Sequence, residues 1–164
     1  MKILHINTND RGGAAKASLR LHFELINQGI ESNYLVLDKH FNYPNVEEFN
    51  RDKSKSGIIS HLVRRHTIPS FYQILYRNRI KTDEHFSVLN SWFDITSHHL
   101  YRECDIVHLH YISEFVNIPN FFRNNTKPLV WTFHDMFPLN GLLHIYNEEE
   151  IRNSKFTYQK VLQK

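Results

Sequence analysis

The chain has 164 residues, 41% hydrophobic and 13% aromatic, which fits one domain with its own core and argues against disorder over most of its length. Its single cysteine, Cys104, excludes an internal disulfide framework and fits a reducing, cytoplasmic setting. The net charge of +3 is uneven, because residues 51–81 carry eight basic side chains and one acid, leaving −4 on the remainder.

Such a basic stretch fits an anionic partner, whether phosphate, a lipid headgroup at the inner face of a membrane or nucleic acid, and it equally fits a solvated face. No apolar run approaches the roughly 20 residues that a membrane-spanning helix needs. Met1 to His5 runs directly into a strand-like segment, so no leader peptide is expected.

Lys2 to Ile6 reads as a short apolar strand through Ile3, Leu4 and Ile6. Asn7 to Gly13 carries turn chemistry throughout. Ala14 to Gln28 reads as a helix, with Ala14, Ala17, Leu21 and Leu25 at helical spacing and Gly29 as its stop. Tyr34 to Leu37 is a second strand. This βαβ opening predicts an α/β fold, a Rossmann-like parallel sheet with flanking helices in a single domain.

Asp38 to Ser56, polar and holding Pro44, reads as a loop. Gly57 to Lys81 predicts two helical pieces broken at Pro69, and Asp94 to Glu103 a further helix. Ile106 to His110 and Leu129 to Phe133 read as buried parallel strands, with a short helix Ile118 to Asn124 between them. Glu148 to Lys164 predicts a polar helix, so the expected division is a domain over 1–146 and a tail over 147–164.

Three segments carry candidate chemistry. In Asn9-Asp10-Arg11-Gly12-Gly13-Ala14 two glycines allow a sharp turn and close backbone approach to a ligand. The helix that follows offers free N–H groups and a positive dipole end, suited to phosphate. The spacing is not that of a dinucleotide fingerprint, and taken alone the segment reads first as a tight βα turn with no ligand. In Asp105-Ile-Val-His108-Leu-His110-Tyr111 the two histidines share one strand face near its carboxyl end, as ligands of a metal or as locally bonded core residues. In Trp131-Thr-Phe-His134-Asp135-Met-Phe-Pro138 a strand ends on a His-Asp pair, suited to proton transfer or, for the Asp, to capping the next turn.

Taken together and in this order, these segments resemble glycosyltransferase family 4, nearest its bacterial polysaccharide-type members. The resemblance spans Met1 to about His144 and is most specific over Lys127-Pro-Leu-Val-Trp-Thr-Phe-His-Asp-Met-Phe-Pro138. It implies the N-terminal, acceptor-side half of a GT-B architecture, in which two Rossmann-like domains face across a cleft. It implies metal-independent transfer of a sugar, with retention, from a nucleotide-sugar donor to a glycan or lipid-linked acceptor in cell-surface polysaccharide synthesis.

By this resemblance Gly12, Gly13 and Ala14 lie near the donor diphosphate, while His134, with Asp135, lies at the transferred sugar as the catalytic pair. Asn9, Arg11, His110 and Tyr111 fall on the acceptor side. No cofactor or bound metal is expected, the nucleotide sugar being a substrate.

Two departures stand out. Relatives carry Gly-Gly-Cys-His-Tyr after the proline, where this chain has Gly141-Leu142-Leu143-His144-Ile145-Tyr146. The family's donor-side residues have no counterpart before Lys164, so the chain reads as a fragment, a truncated product or one half of a split enzyme completed by a donor-domain polypeptide, and it is expected to be inactive alone. Two further readings remain open. One is a small metal-dependent hydrolase built on His108, His110, His134 and Asp135. The other is a non-catalytic module docking on anionic lipid through residues 51–81. No nucleic-acid-binding signature is present.

Overall fold

The computed structural model of the protein describes residues 1–49 and 91–140. The predicted helices over 57–81 and 148–164, the basic stretch and the boundary at 146 lie outside the described residues. By internal contacts the chain forms two compact units, Met1–Asn50 with Asn90–His134 and Arg51–Leu89 with Asp135–Lys164.

The first unit holds a five-stranded sheet, parallel at every pairing. Its elements are β1 (Lys2–Asn9), α1 (Gly12–Asn27), β2 (Glu31–Asp38) and β3 (Val46–Glu48), then a 3-10 turn (Ile95–Ser97), α2 (His99–Glu103), β4 (Ile106–Leu109), α3 (Ile118–Asn124) and β5 (Leu129–Trp131). The second unit contributes α4 (Phe137–Asn140). Strand order is β3-β2-β1-β4-β5. The order reverses between β1 and β4, and the carboxyl ends at such a reversal are where open α/β sheets take ligands. The Rossmann-like α/β expectation is met.

Alternation along the strands gives the sheet two unlike faces. Leu4 and Ile6 of β1 and Val107 and Leu109 of β4 share one face, and each is fully buried, which stabilises the fold by about 1.5–3 kcal/mol per side chain. Tyr101, Ile118 and Phe121 add buried apolar surface from α2 and α3. The opposite face carries His5, Asn7, Tyr34, His108 and His110, and α1 lies against it.

That polar face explains where the helix reading needs correction. The side chains α1 buries are Ala15, Ser18, Leu19 and His22, not the Ala14, Ala17, Leu21 register, and Leu21 is 39% exposed. Ser18 shares a 2.5 Å hydrogen bond with the Tyr34 hydroxyl, and His22 Nδ1 shares one of 2.7 Å with Ser32. The inward stripe is therefore part polar, which hides it from a hydrophobic count.

Three other expectations are corrected. β1 continues through Asn7 to Asn9, because the Thr8 N–H donates to the Tyr111 carbonyl at 2.7 Å and Asn7 pairs with Val36. The loop after Asp38 contains β3, in which Val46 joins Leu19, Tyr34 and Val36 in a cluster backed by Phe23 and Tyr43. The helix over 94–103 is broken into a 3-10 turn and α2, because Asp94 caps the first at Thr96 and His98 caps the second at Leu100. No helix among the described residues is long and apolar enough to cross a membrane.

Candidate functional site at the carboxyl rim of the sheet

Since all five strands run the same way, the turn after β1, the end of β4 and the segment after β5 lie on one rim. Two asparagines and a threonine finish β1 here. Asn7, 1% exposed, accepts from the Tyr111 N–H at 2.8 Å and donates to the Asn9 carbonyl at 2.6 Å. Thr8 donates its hydroxyl to the Ser113 carbonyl at 2.7 Å. These bonds lock the ends of β1 and β4 together at the order reversal, so the floor beneath a ligand is preorganised.

The Gly-Gly turn sits directly above it. Asn9 Oδ1 accepts from the Arg11 N–H at 3.1 Å, and Arg11 occupies the cap position of α1 in extended geometry. No side chain caps the helix, and its first turn holds no acid. The leading N–H groups of a helix have no partner within it, so an uncapped start favours an anion.

Gly12 has φ +88°, a left-handed geometry that only glycine adopts cheaply. Gly13 carries no such constraint, and a Cβ built on either glycine meets nothing within 4 Å. Space stands open over both. Asp10, 2% exposed, turns the other way, its carboxylate accepting from the N–H groups of His40 and Phe41 at 2.8–3.0 Å.

A line of histidines runs along the α1 face of the sheet to its carboxyl end. His5 pairs laterally with His108, which places them side by side on the α1 face. His5 Nδ1 shares a 2.9 Å hydrogen bond with His110 Nε2, and His110 Nδ1 shares one of 3.2 Å with His134 Nε2. His108 Nε2 meets the Thr132 hydroxyl at 2.7 Å.

Burial pushes His5 down to about 3, with His108 and His22 adding to it, and pushes His110 down to about 2, with His108, His5 and His134 adding. Burial also lowers His108 and His22. The inner imidazoles are therefore neutral at physiological pH, each with one donor and one acceptor nitrogen. In a chain of neutral rings the sense of one bond sets the next. If a neutral His134 donates its Nε2–H to His110, then His110 donates to His5, and the His134 lone pair is on Nδ1. The opposite sense makes His134 Nδ1–H a donor. His5 and His110 thus couple the tautomer of His134 to their own.

The remaining predicted residues fall as follows. Ala14, half-buried, is in the first turn of α1, and Tyr111, half-buried, follows β4 with its N–H held by Asn7. Asp135 belongs to the second unit, where its carboxylate accepts from the Phe137 N–H at 3.0 Å, the capping role. Sequence reasoning passed over His5, Asn7 and His22. The signal for the first two was present, because Ile3, His5 and Asn7 alternate onto one strand face.

Metal-ligand geometry among the histidines differs from the set named in the hydrolase reading. The donor atoms that lie within 4.8 Å of one another belong to His5, His108 and His110. They are 0%, 8% and 3% exposed, and each already shares a hydrogen bond through the rings described above. Cys104 is equally inward, a free thiol raised by burial and bonded to the Tyr101 carbonyl.

No family, curated protein or solved structure matches this chain.

Proposed function

We propose that this chain is the acceptor-side domain of a glycosyltransferase resembling family 4, moving a sugar from a nucleotide-sugar donor to a glycan or lipid-linked acceptor. One observation carries the reading. An uncapped helix start with two open glycines and a histidine aligned by two buried histidines share the carboxyl rim of a sheet whose order reverses there. The N–H groups of Gly12, Gly13 and Ala14 are suited to the diphosphate that leaves, where fixed dipoles stabilise developing charge without reorganising. His134 is suited to the sugar side, able to accept or donate a proton from Nδ1. Asn9, Arg11 and Tyr111 take the acceptor side in this reading, as the family resemblance implies.

The glycines supply a test. Gly13 lacks any steric reason within the chain, and glycine in a helix costs roughly 0.5–1 kcal/mol against alanine. Gly13→Ala is expected to raise stability by about that amount in urea unfolding, and to weaken UDP or GDP binding by calorimetry. Gly12→Ala is expected to lose about 1–2 kcal/mol from its positive φ. A Gly13→Ala protein that binds either nucleotide as well as the parent does would remove the diphosphate from this turn.

A further inference from the structure

A second constellation lies at the sheet's other edge and takes no part in the rim. Glu47 is on β3, the outermost strand next to β2. His98 and His99 sit at the start of α2. His98 Nε2 lies 3.4 Å from Glu47 Oε1, and His99 Nε2 lies 3.4 Å from Glu47 Oε2. Two residues adjacent in sequence thus converge on the two oxygens of one carboxylate from a different element.

Those distances fit poorly to direct hydrogen bonds. Charge-assisted N–H···O bonds run about 2.7–2.9 Å. Ligands bound at about 2.1 Å in a tetrahedral zinc site, by contrast, lie about 3.4 Å from one another. The donor atoms of all three residues lie within 4.8 Å of one another. The rings of His98 and His99 stand 4.6 Å apart and tilted, so neither blocks the other's Nε2. Two imidazoles and one carboxylate suit zinc and its neighbours and bring one negative charge to the ion, which the buried histidines of the rim do not.

The exposures also fit. His98 is 9% exposed and packs against Phe49, a firm wall, while the side chains of His99 and Glu47 are 54% and 44% exposed and leave an entry path and a fourth position open to water. One bond must yield. His98 Nδ1 accepts from the Leu100 N–H at 3.3 Å, and ligation through Nε2 places the ring proton on Nδ1. That long bond is the weakest cap a metal could displace.

We propose that Glu47, His98 and His99 form a site for a divalent transition metal of the zinc class, clamping the edge strand β3 to α2. The assignment is independent of the glycosyl-transfer reading.

The test is calorimetric titration of the full chain with zinc chloride, repeated with cobalt chloride to read the visible d–d band of a low-coordinate ion. One equivalent is expected, with a rise in thermal midpoint. His99→Ala and Glu47→Gln change half-exposed side chains and should keep the fold by circular dichroism. Each should weaken zinc binding by at least about tenfold, the loss that even outer-shell partners produce. Zinc that fails to bind the parent chain at stoichiometric concentrations overturns the site. Binding that persists unchanged in both variants assigns the ion to other groups and overturns it equally.

Discussion

Acidification from about pH 7.5 to about pH 4.5 is expected to remove on the order of 5 kcal/mol of stability, a large share of the roughly 5–15 kcal/mol that a domain holds. The sign follows from His5 and His110. Their ordinary value is 6.5, and burial depresses them to about 3 and about 2 in the folded protein. Below 6.5 the unfolded chain takes up protons that the folded chain refuses. The stability that the neutral rings supply is therefore complete above 6.5 and is lost progressively as pH falls toward the folded values. Two pH units below 6.5, each ring contributes roughly 2–3 kcal/mol of loss. His108 and His22 are shifted in the same direction and steepen the fall. Urea midpoints followed by circular dichroism across this window measure it. A stability that stays flat down to about pH 5 would mean that the imidazoles are hydrated or paired with acid, and the neutral relay would be lost with it.

Tyr34→Ala is expected to cost about 3–5 kcal/mol, the range for deleting a large aromatic ring from a core. Tyr34 is fully buried at the centre of the α1 face. Its ring stacks on His5 at 5.9 Å and meets His22 edge-on at 5.5 Å, and its hydroxyl bonds Ser18. Removing it leaves a cavity beside an already unpartnered His5 Nε2. Tyr34→Phe should cost only about 1 kcal/mol, because Ser18 keeps its bonds to the Ala14 and Ala15 carbonyls. Denaturant unfolding of the two variants gives the comparison. Near-equal losses would place the energy in the hydroxyl network and not in the packing.

Much of the fold was legible because parallel strands announce themselves as apolar runs. The Ile118–Asn124 helix matched residue for residue, since Asn117 caps it and Pro119 suits its first turn. The late strands were read two residues and one residue too long, at Phe133 and His110, because apolar and aromatic character continues past the last ladder pairing. β3 was missed for a physical reason. It is three residues long and follows Asn45 at φ +54°, so local composition resembles a turn and only tertiary packing of Val46 makes it a strand.

The rim was half legible. Glycines and His134 stand out by type and position. The alignment of His134 by His5 depends on a contact across 105 residues, from His5 to His110, which no local pattern displays. Glu47 with His98 and His99 was invisible for the same reason.

The most direct measurement is a titration of the isotopically labelled chain with UDP and GDP, read by amide and imidazole NMR shifts. The proposed function predicts that the largest changes fall on Gly12, Gly13 and Ala14, with His134 following as the diphosphate reaches the rim. Shifts confined to other surfaces, or none at millimolar nucleotide, would contradict it.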